Sequence, residues 1–219
     1  MIEFFIYIDR LLFSFFNRTL ANPVFDVLMP FMTDLNKHTI SFVIVGLILL
    51  ALIIWGGKTG RIVVFGLILV VALTDQLNSS VLKSIFYRPR PCHFVNDIFN
   101  IENVRLLVGC GGGRSFPSSH AANNAAVATF LSFYYPRLKW WFISFAVIIG
   151  FSRIYIGVHF PSDVLAGFFV GILCGYIIIA IMVSSDWLYT RFFKRNKQIE
   201  IVVEKIDEEN EIAEENITK

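Results

Sequence analysis

The chain has 219 residues, of which 56% are hydrophobic and 23 are phenylalanines. This composition is too apolar for an ordinary soluble domain of the same length and indicates a polytopic membrane protein. The formal net charge of +2 is unevenly distributed, because residues 200–219 hold 8 acidic and 2 basic residues. We therefore predict that residues 191–219 form a solvated, disordered tail that follows the membrane-embedded part of the chain.

The N-terminal segment, residues 2–19, has polar side chains at helical spacing. They are Glu3, Tyr7, Arg10, Ser14 and Asn17. Phenylalanines and leucines fill most of the remaining positions, a pattern typical of an amphipathic helix that lies in the membrane interface. A signal peptide is the alternative interpretation. However, Glu3 stands where positive charge is expected, and Asp9 with Arg10 interrupts the apolar run.

A second short helix is predicted to follow, because Asn22 is a favourable N-cap and Pro23 suits a first helical turn. We assign residues 1–37 to interfacial helices and residues 38–190 to a transmembrane domain. A run of about 20 apolar residues crosses the ~30 Å hydrocarbon core of a bilayer. Such runs occupy residues 39–57, 62–82, 118–135, 140–158 and 162–184. The predicted fold class is therefore all-α, a polytopic helical bundle with about five transmembrane helices.

Basic residues predict the orientation of this bundle. With five spans, three basic groups fall on one side, namely Lys58 with Arg61, Arg137 with Lys139, and the cluster within residues 191–197. The positive-inside rule makes that side cytoplasmic. We therefore predict a bacterial inner-membrane protein with a cytoplasmic tail and with its functional loops facing the periplasm or exterior. The outer loop between spans two and three breaks the rule with several arginines, which an anionic substrate would explain.

Two polar stretches lie at the predicted outer ends of spans two and three. In residues 83–91, Lys83 and Arg90 are separated by seven positions where a span gives way to a loop. Residues 117–120 read Pro-Ser-Ser-His and open the next span, so their hydroxyls and backbone N–H groups form a helix N-terminus suited to an anion.

A third stretch, residues 152–163, places Arg153, His159 and Asp163 in an otherwise apolar run. Such groups are costly at a membrane unless they have a function. A carboxylate on one ring nitrogen of a histidine leaves the other nitrogen free to act as a nucleophile. Arg153 supplies the fork-shaped cation that suits a phosphate. The alternative is a set of interfacial side chains that extend to lipid headgroups.

Together, K-x6-R-P, P-S-x-H and S-R-x5-H-x3-D, in this order over residues 83–163, resemble the signature of the type 2 phosphatidic acid phosphatase superfamily. The family includes membrane lipid phosphatases and vanadium-dependent haloperoxidases. The resemblance implies that His159 attacks phosphorus and forms a phosphohistidine, that Asp163 orients it, and that His120 protonates the leaving oxygen. The phosphate-binding residues that it implies are Lys83, Arg90, Ser118 and Arg153. Ser119 stands where the family usually has glycine; its backbone N–H can still bind phosphate, and its hydroxyl narrows the site.

Phosphoryl transfer depends mainly on charge stabilisation and in-line placement, so several fixed cations can replace a metal. We therefore expect neither a catalytic metal nor a cofactor.

The predicted function is hydrolysis of a membrane lipid phosphate: lipid A 1-phosphate, undecaprenyl diphosphate or phosphatidylglycerol phosphate. The alternatives are a lipid phosphotransferase and a non-catalytic carrier of phosphorylated lipid. We expect no nucleic-acid partner, and the oligomeric state stays open. A neutral His159 and a protonated His120 together predict a bell-shaped pH–rate profile.

Three arginines and two cysteines of the outer loop also lie outside the motif set. Arg88 and Arg114 are predicted to contact the substrate headgroup, although Arg88 could instead share the role of Arg90. With Arg105, they favour a bulky, multiply anionic headgroup such as lipid A. Cys92 and Cys110 form a disulfide if the compartment is oxidising, and free thiols are the alternative. The glycine-rich run around Cys110 is interpreted as a flexible lip over the site.

Overall fold

The structure, a computed structural model, describes residues 2–35, 38–93 and 103–185, and these residues contain helices and turns but no strand. The predicted tail at residues 191–219 therefore lies outside the described residues. The chain divides into two compact units, Met1–Ile179 and Ala180–Lys219. Of the second unit, the structure describes only residues 180–185, which are helical.

The helices follow one another with short connections over most of the chain. They are α1 (Ile2–Ser14), α2 (Pro23–Thr33), α3 (Thr39–Trp55), α4 (Gly57–Ile85), α5 (Ser119–Tyr134), α6 (Lys139–Tyr155) and α7 (Pro161–Ser185). A wider π-helical segment, Phe15–Thr19, extends α1, and a second one, Gln76–Leu82, lies within α4. The longest connection runs from α4 to α5 and carries the basic outer loop.

Among the residues that the structure describes, three helices are long and apolar enough to cross a membrane: α4 with 29 residues, Pro136–Tyr155 with 20 and α7 with 25. They match three of the five predicted spans. Helix α3 is strongly apolar but has only 17 residues, and α5 has 16. These lengths lie at or below the lower end of the range for a spanning helix, so the count of five spans stays a prediction.

The N-terminal helices make more protein contacts than the predicted interfacial role requires. Glu3 and Tyr7 are exposed, as expected for an outer polar face, but Asn17 is fully buried. Phe13 packs in a buried cluster with residues of α5, α6 and α7. The predicted start of α2 is confirmed, because the Asn22 side chain accepts a hydrogen bond from the backbone N–H of Phe25 at 2.9 Å.

Glycines on α7 allow it to lie directly against α5. A Cβ atom added at Gly167 would lie 2.6 Å from the carbonyl oxygen of Ser118, and one added at Gly171 would overlap the carbonyl of Ala122. Gly175 continues the same face one turn later. Close packing along this glycine face fixes the first turn of α5 beside the start of α7.

Candidate active site

His159 lies in the short connection between α6 and α7. Helix α6 ends at Tyr155, and Gly157 adopts a φ of +90°, a conformation that favours glycine. A Cβ atom at Gly157 would also lie 2.6 Å from the carbonyl oxygen of Arg105, in the loop that covers this turn. The backbone N–H of His159 then donates to the carbonyl of Arg153 at 3.2 Å. The tight turn therefore fixes the histidine at the start of α7.

The His159 ring is paired with the Asp163 carboxylate. Nδ1 of His159 lies 3.5 Å from Oδ2 of Asp163, and the two side chains are 2% and 0% exposed. The same carboxylate oxygen accepts hydrogen bonds from the backbone N–H of Phe160 at 2.7 Å and from the hydroxyl of Ser115. With Nδ1 facing the carboxylate, Nε2 retains the lone pair that a nucleophile needs.

Ser115 is a site residue that sequence reasoning missed. It is fully buried, and its Oγ also lies 3.4 Å from Nδ1 of His159. It precedes the second motif by two positions, and a serine in a glycine-rich loop gave no signal by itself. Only the folded loop brings its hydroxyl to the carboxylate.

The environment of His159 keeps its ring neutral. Burial lowers the pKa of His159 from 6.5 to about 4, and the nearby charges of Arg153 and Arg90 act in the same direction. The hydrogen bond and the charge of Asp163 oppose this effect. At neutral pH the imidazole is therefore in the unprotonated form that a nucleophile requires.

Three cations predicted to bind phosphate come together from three parts of the chain. Lys83 at the end of α4 interacts electrostatically with Arg90 and Arg153, and Arg153 in turn interacts with Arg90. All three side chains are at least partly buried. Like charges repel at such sites, so the cluster favours a bound anion that neutralises it.

Thr33 is a further contact that the sequence did not indicate. Nη1 of Arg153 donates a 2.7 Å hydrogen bond to its hydroxyl, which α2 supplies from the N-terminal part of the chain. The Nε atoms of Arg90 and Arg153 are buried and make no hydrogen bond within the described part of the chain. They are donors that an oxyanion could satisfy.

The second motif forms the first turn of α5. Ser118 is buried, its side chain accepts from the backbone N–H of Ala121 at 3.5 Å, and its own N–H donates to the carbonyl of Asp163 at 3.0 Å. His120 follows and interacts electrostatically with His159 and with the nearby cations. The hydroxyl of Ser119 accepts a 2.8 Å hydrogen bond from the side chain of Asn78.

A cavity of about 530 Å³ lies beside His120. Polar side chains of Thr33, Asn123 and Asn124 line part of it, and apolar side chains of α2, α3 and α6 line the rest. A cavity that has polar side chains near His120 and mostly apolar side chains elsewhere suits the portion of a lipid that adjoins its phosphate.

Arg88 and Arg114 do not extend freely toward solvent. Nη1 of Arg88 lies 2.9 Å from Oδ1 of Asp163, and its Nη2 lies 2.5 Å from Oδ2 of Asp9. The structure therefore holds most of this guanidinium against two carboxylates, with 12% of the side chain exposed, and the headgroup contact of Arg88 stays a prediction. Arg114 donates to the carbonyl of Lys83 and lies 3.5 Å above the ring of Tyr87, where it holds the loop against the end of α4. Its contact with a headgroup stays a prediction.

The structure joins Cys92 and Cys110 in a disulfide, with a Cα–Cα distance of 6.0 Å. The sequence left this pairing and free thiols open. Cys92, His93 and Cys110 have potential metal-ligand atoms within 4.8 Å of one another, but the disulfide occupies both sulfurs. The glycine-rich run predicted to form a lip over the site continues from Cys110 along the chain. It passes close to Arg90, because a Cβ added at Gly111 would lie 3.7 Å from Nη1 of Arg90.

These features define a helical membrane protein with a buried histidine–aspartate pair, a second histidine and a cluster of cations around one position suited to phosphate. Residues 59–187 match the model of the PAP2 superfamily, and this match covers more than half of the chain. The chain belongs to the PAP2 superfamily. All the motif residues lie within the matched range.

Several curated relatives are phosphatases. A lipid A 4'-phosphatase of Bacteroides thetaiotaomicron is 32% identical over 81% of this chain and 78% of the relative. A lipid A 4'-phosphatase of Porphyromonas gingivalis is 35% identical over 60% of this chain, and the match spans only 56% of that relative. The undecaprenyl-diphosphatase BcrC of Bacillus subtilis is 28% identical over 71% of this chain and 74% of the relative.

Two solved structures share the fold. LpxE of Aquifex aeolicus superposes with a TM-score of 0.62 and 33% identity, over 77% of this chain and 93% of that chain. A phosphatidylglycerolphosphate phosphatase of Bacillus subtilis superposes with a TM-score of 0.60 and 25% identity, over 81% and 86% of the two chains. The all-helical membrane fold predicted from the sequence is thus shared with a transmembrane phosphatase of the PAP2 type.

Proposed function

We propose that the protein is an integral-membrane lipid phosphatase that acts through a phosphohistidine intermediate. The observation that carries the proposal is the pairing of a buried, neutral His159 with Asp163, next to the cations Arg90 and Arg153. A neutral imidazole beside several fixed positive charges suits attack on a phosphate, because the cations stabilise the charge that spreads over its oxygens in the transition state.

The proposed reaction has two steps. In the first, Nε2 of His159 attacks phosphorus, the bond to the lipid oxygen breaks, and His120 gives its proton to that oxygen. In the second, a water molecule attacks the phosphohistidine while His120 accepts a proton from the water. The phosphorus–nitrogen bond breaks, and inorganic phosphate leaves with His159 restored. Lys83, Arg90, Arg153 and the N-terminus of α5 hold the phosphate oxygens in both steps.

The proposed substrate is a phosphate of lipid A. Support comes from the two lipid A 4'-phosphatases among the relatives and from a lipid A 1-phosphatase of Rhizobium etli that is 33% identical over 43% of this chain. Because relatives of both types match, the 1- and 4'-phosphates are both included. Undecaprenyl diphosphate is the second candidate, since the diphosphatase BcrC matches over most of the chain.

We also propose that the site faces the periplasm or exterior of an inner membrane. The distribution of Lys58, Arg61, Arg137 and Lys139 supports this orientation, because these basic residues fall together on the opposite side of a five-span bundle. A disulfide in the outer loop suits an oxidising compartment.

The test is phosphate release by the purified full-length protein. Lipid A 1-phosphate, lipid A 4'-phosphate, undecaprenyl diphosphate and phosphatidylglycerol phosphate are compared in mixed micelles, with His159→Ala as the inactive variant. His38→Ala is the matched control, because His38 is exposed and lies outside the site. We expect release from a lipid A phosphate, its loss in His159→Ala, and wild-type rates in the control.

Three outcomes would contradict the proposal. Labelled phosphate that reappears on a second lipid instead of in solution would identify a phosphotransferase. Lipid transport into vesicles that survives the His159→Ala change would identify a carrier. Release from undecaprenyl diphosphate alone would retain the chemistry but overturn the proposed substrate.

A further inference from the structure

Asp9 of α1 and Arg88 of the outer loop form a charged chain that ends on Asp163. Nη2 of Arg88 lies 2.5 Å from Oδ2 of Asp9, and Nη1 lies 2.9 Å from Oδ1 of Asp163. The three side chains are only 9%, 12% and 0% exposed, in the order Asp9, Arg88 and Asp163. A guanidinium held between two buried carboxylates couples their positions, because loss of either partner leaves a buried charge uncompensated.

Ser162 and Phe160 complete this chain. Asp9 accepts hydrogen bonds from the backbone N–H of Ser162 at 2.9 Å and from its hydroxyl at 2.6 Å, and that hydroxyl accepts from Arg88 at 2.6 Å. The guanidinium carbon of Arg88 also lies 4.0 Å from the centre of the Phe160 ring. Asp9 thus binds the first turn of α7, where free N–H groups favour a carboxylate, immediately beside Asp163.

These contacts restrict rotation of the Asp163 carboxylate. Its Oδ1 is bound by Arg88, whereas its Oδ2 faces His159 and accepts from Ser115 and Phe160. If Oδ1 lost its partner, the carboxylate could turn away from the imidazole. The orientation of His159 therefore depends on a guanidinium whose own position depends on α1.

We propose that Asp9 and Arg88 are positioning residues that hold Asp163 in the orientation that His159 needs for attack on phosphorus. Their opposite charges also offset each other near the imidazole. The inference rests on the proposed function and deepens it. Asp9 lies outside residues 59–187, the range that matches the family model. The N-terminal helix, which the sequence predicted as an interfacial element, is then a component of the active site.

The effects of charge have opposite signs for the two residues. His159 interacts electrostatically with Arg90 (outer loop), His120 (α5), Arg153 (α6) and Asp163 (α7). Lys83 (α4) and Arg88 (outer loop) interact with Asp163, and Asp9 (α1) joins this set through Arg88. Removal of the Asp9 charge leaves the positive charge of Arg88 less neutralised. Protonation of His159 then becomes less favourable, so its pKa falls. Removal of the Arg88 charge has the reverse effect. A variant without either charge keeps the original balance.

The experiment compares Asp9→Asn, Arg88→Gln, the double variant and Arg88→Lys in the purified full-length protein. We expect Asp9→Asn and Arg88→Gln each to lower kcat by roughly tenfold or more with little change in KM, because the proposed role of both side chains is to position Asp163 and not to bind the substrate. The acid limb of the pH–rate profile moves to lower pH in Asp9→Asn and to higher pH in Arg88→Gln, by several tenths of a unit to about one unit. The double variant keeps the wild-type limb despite its lower kcat. Arg88→Lys also keeps the limb and retains part of kcat.

Matched controls change the same charges at exposed positions. Glu3→Gln removes a carboxylate from α1, and Arg18→Gln removes a guanidinium from the adjoining segment; both side chains are exposed. We expect both controls to retain wild-type kcat and the wild-type acid limb. Thermal unfolding of every variant separates the loss of folded protein from the loss of turnover.

A second readout does not require turnover. Histidine-selective ¹⁵N NMR in micelles, with the His159 signal assigned by its absence in His159→Ala, follows protonation of the ring directly. Titration midpoints that move in opposite directions in the two single variants support the inference. Full turnover in Asp9→Asn, or midpoints that do not move or that move in the same direction, would overturn it. If the wild type releases no phosphate from any lipid, the proposed function fails, whereas the NMR titration still tests the charged chain.

Discussion

The side-chain amide of Asn17 donates a 2.7 Å hydrogen bond to the carbonyl oxygen of Tyr155, which lies 138 positions further along the chain. The same amide donates to the carbonyl of Arg105 at 2.8 Å, and its oxygen accepts from the N–H of Arg105 at 2.9 Å. Asn17 is fully buried. One side chain thus joins the N-terminal segment, the outer loop and the end of the helix that carries Arg153.

Replacement of Asn17 by alanine is expected to destabilise the protein. The change leaves three backbone polar groups without their partner, and each buried unsatisfied group costs about 1–3 kcal/mol. We therefore expect a loss of at least about 2 kcal/mol, seen as a lower midpoint of thermal unfolding in detergent. Thr19→Ala, at an exposed position of the same segment, is the control. Equal midpoints for Asn17→Ala and the wild type would show that this contact adds nothing to stability.

Gly171→Ala is expected to disrupt the packing of α7 against α5. The added methyl group would overlap the carbonyl of Ala122, so the two helices must separate, at a cost of about 1–3 kcal/mol. The matched control is Gly46→Ala in α3, where no atom lies within 4 Å of an added Cβ. Unfolding midpoints and yields of folded protein should fall for the first change but not for the second. A neutral Gly171→Ala variant would contradict the close packing of these helices.

His120→Asn is expected to impair hydrolysis in proportion to the basicity of the leaving group. In the proposed mechanism a sugar alkoxide receives its proton from His120, so the variant should lose about 10²–10⁴-fold in rate on a lipid phosphate. p-Nitrophenolate leaves with little assistance, and the loss with p-nitrophenyl phosphate should be much smaller. His159→Ala should abolish both activities. Equal losses of His120→Asn on the two substrates would assign His120 a role other than proton donation.

The acid limb of the pH–rate profile should lie near pH 4. Burial lowers the pKa of His159 to about 4, and in the proposed mechanism only the neutral ring attacks phosphorus. The nucleophile is therefore fully available at pH 6, and kcat/KM should fall tenfold for each pH unit well below 4. A histidine with the ordinary pKa of 6.5 would already lose activity below pH 6.5.

The measurement uses a soluble phosphate ester between pH 3 and pH 8, together with a check that activity returns after neutralisation. An acid limb near 6.5 would contradict the buried, neutral state of His159.

The sequence alone determined the class of protein and indicated most residues of the candidate site. Long apolar runs predict membrane helices because the bilayer imposes a length and a composition that local sequence reveals. The motif residues Lys83, His120 and His159 are visible for a similar reason, since charged and titratable side chains at the ends of apolar segments are costly without a function. Asn22, with the proline after it, predicted the start of α2, because capping involves only neighbouring residues.

Tertiary structure decided the contacts between distant parts of the chain. Asp9 interrupts an apolar helix and Arg88 lies beside a motif arginine, but no local pattern pairs a residue of α1 with the loop after α4. Ser115 and Thr33 became partners of Asp163 and Arg153 only through the packing of helices, and the sequence also left the Cys92–Cys110 pairing open. Local sequence determines helix length, apolarity and capping because neighbouring residues produce them. The partner of a buried polar group depends on which segments meet in space, and that is fixed only when the whole chain has folded.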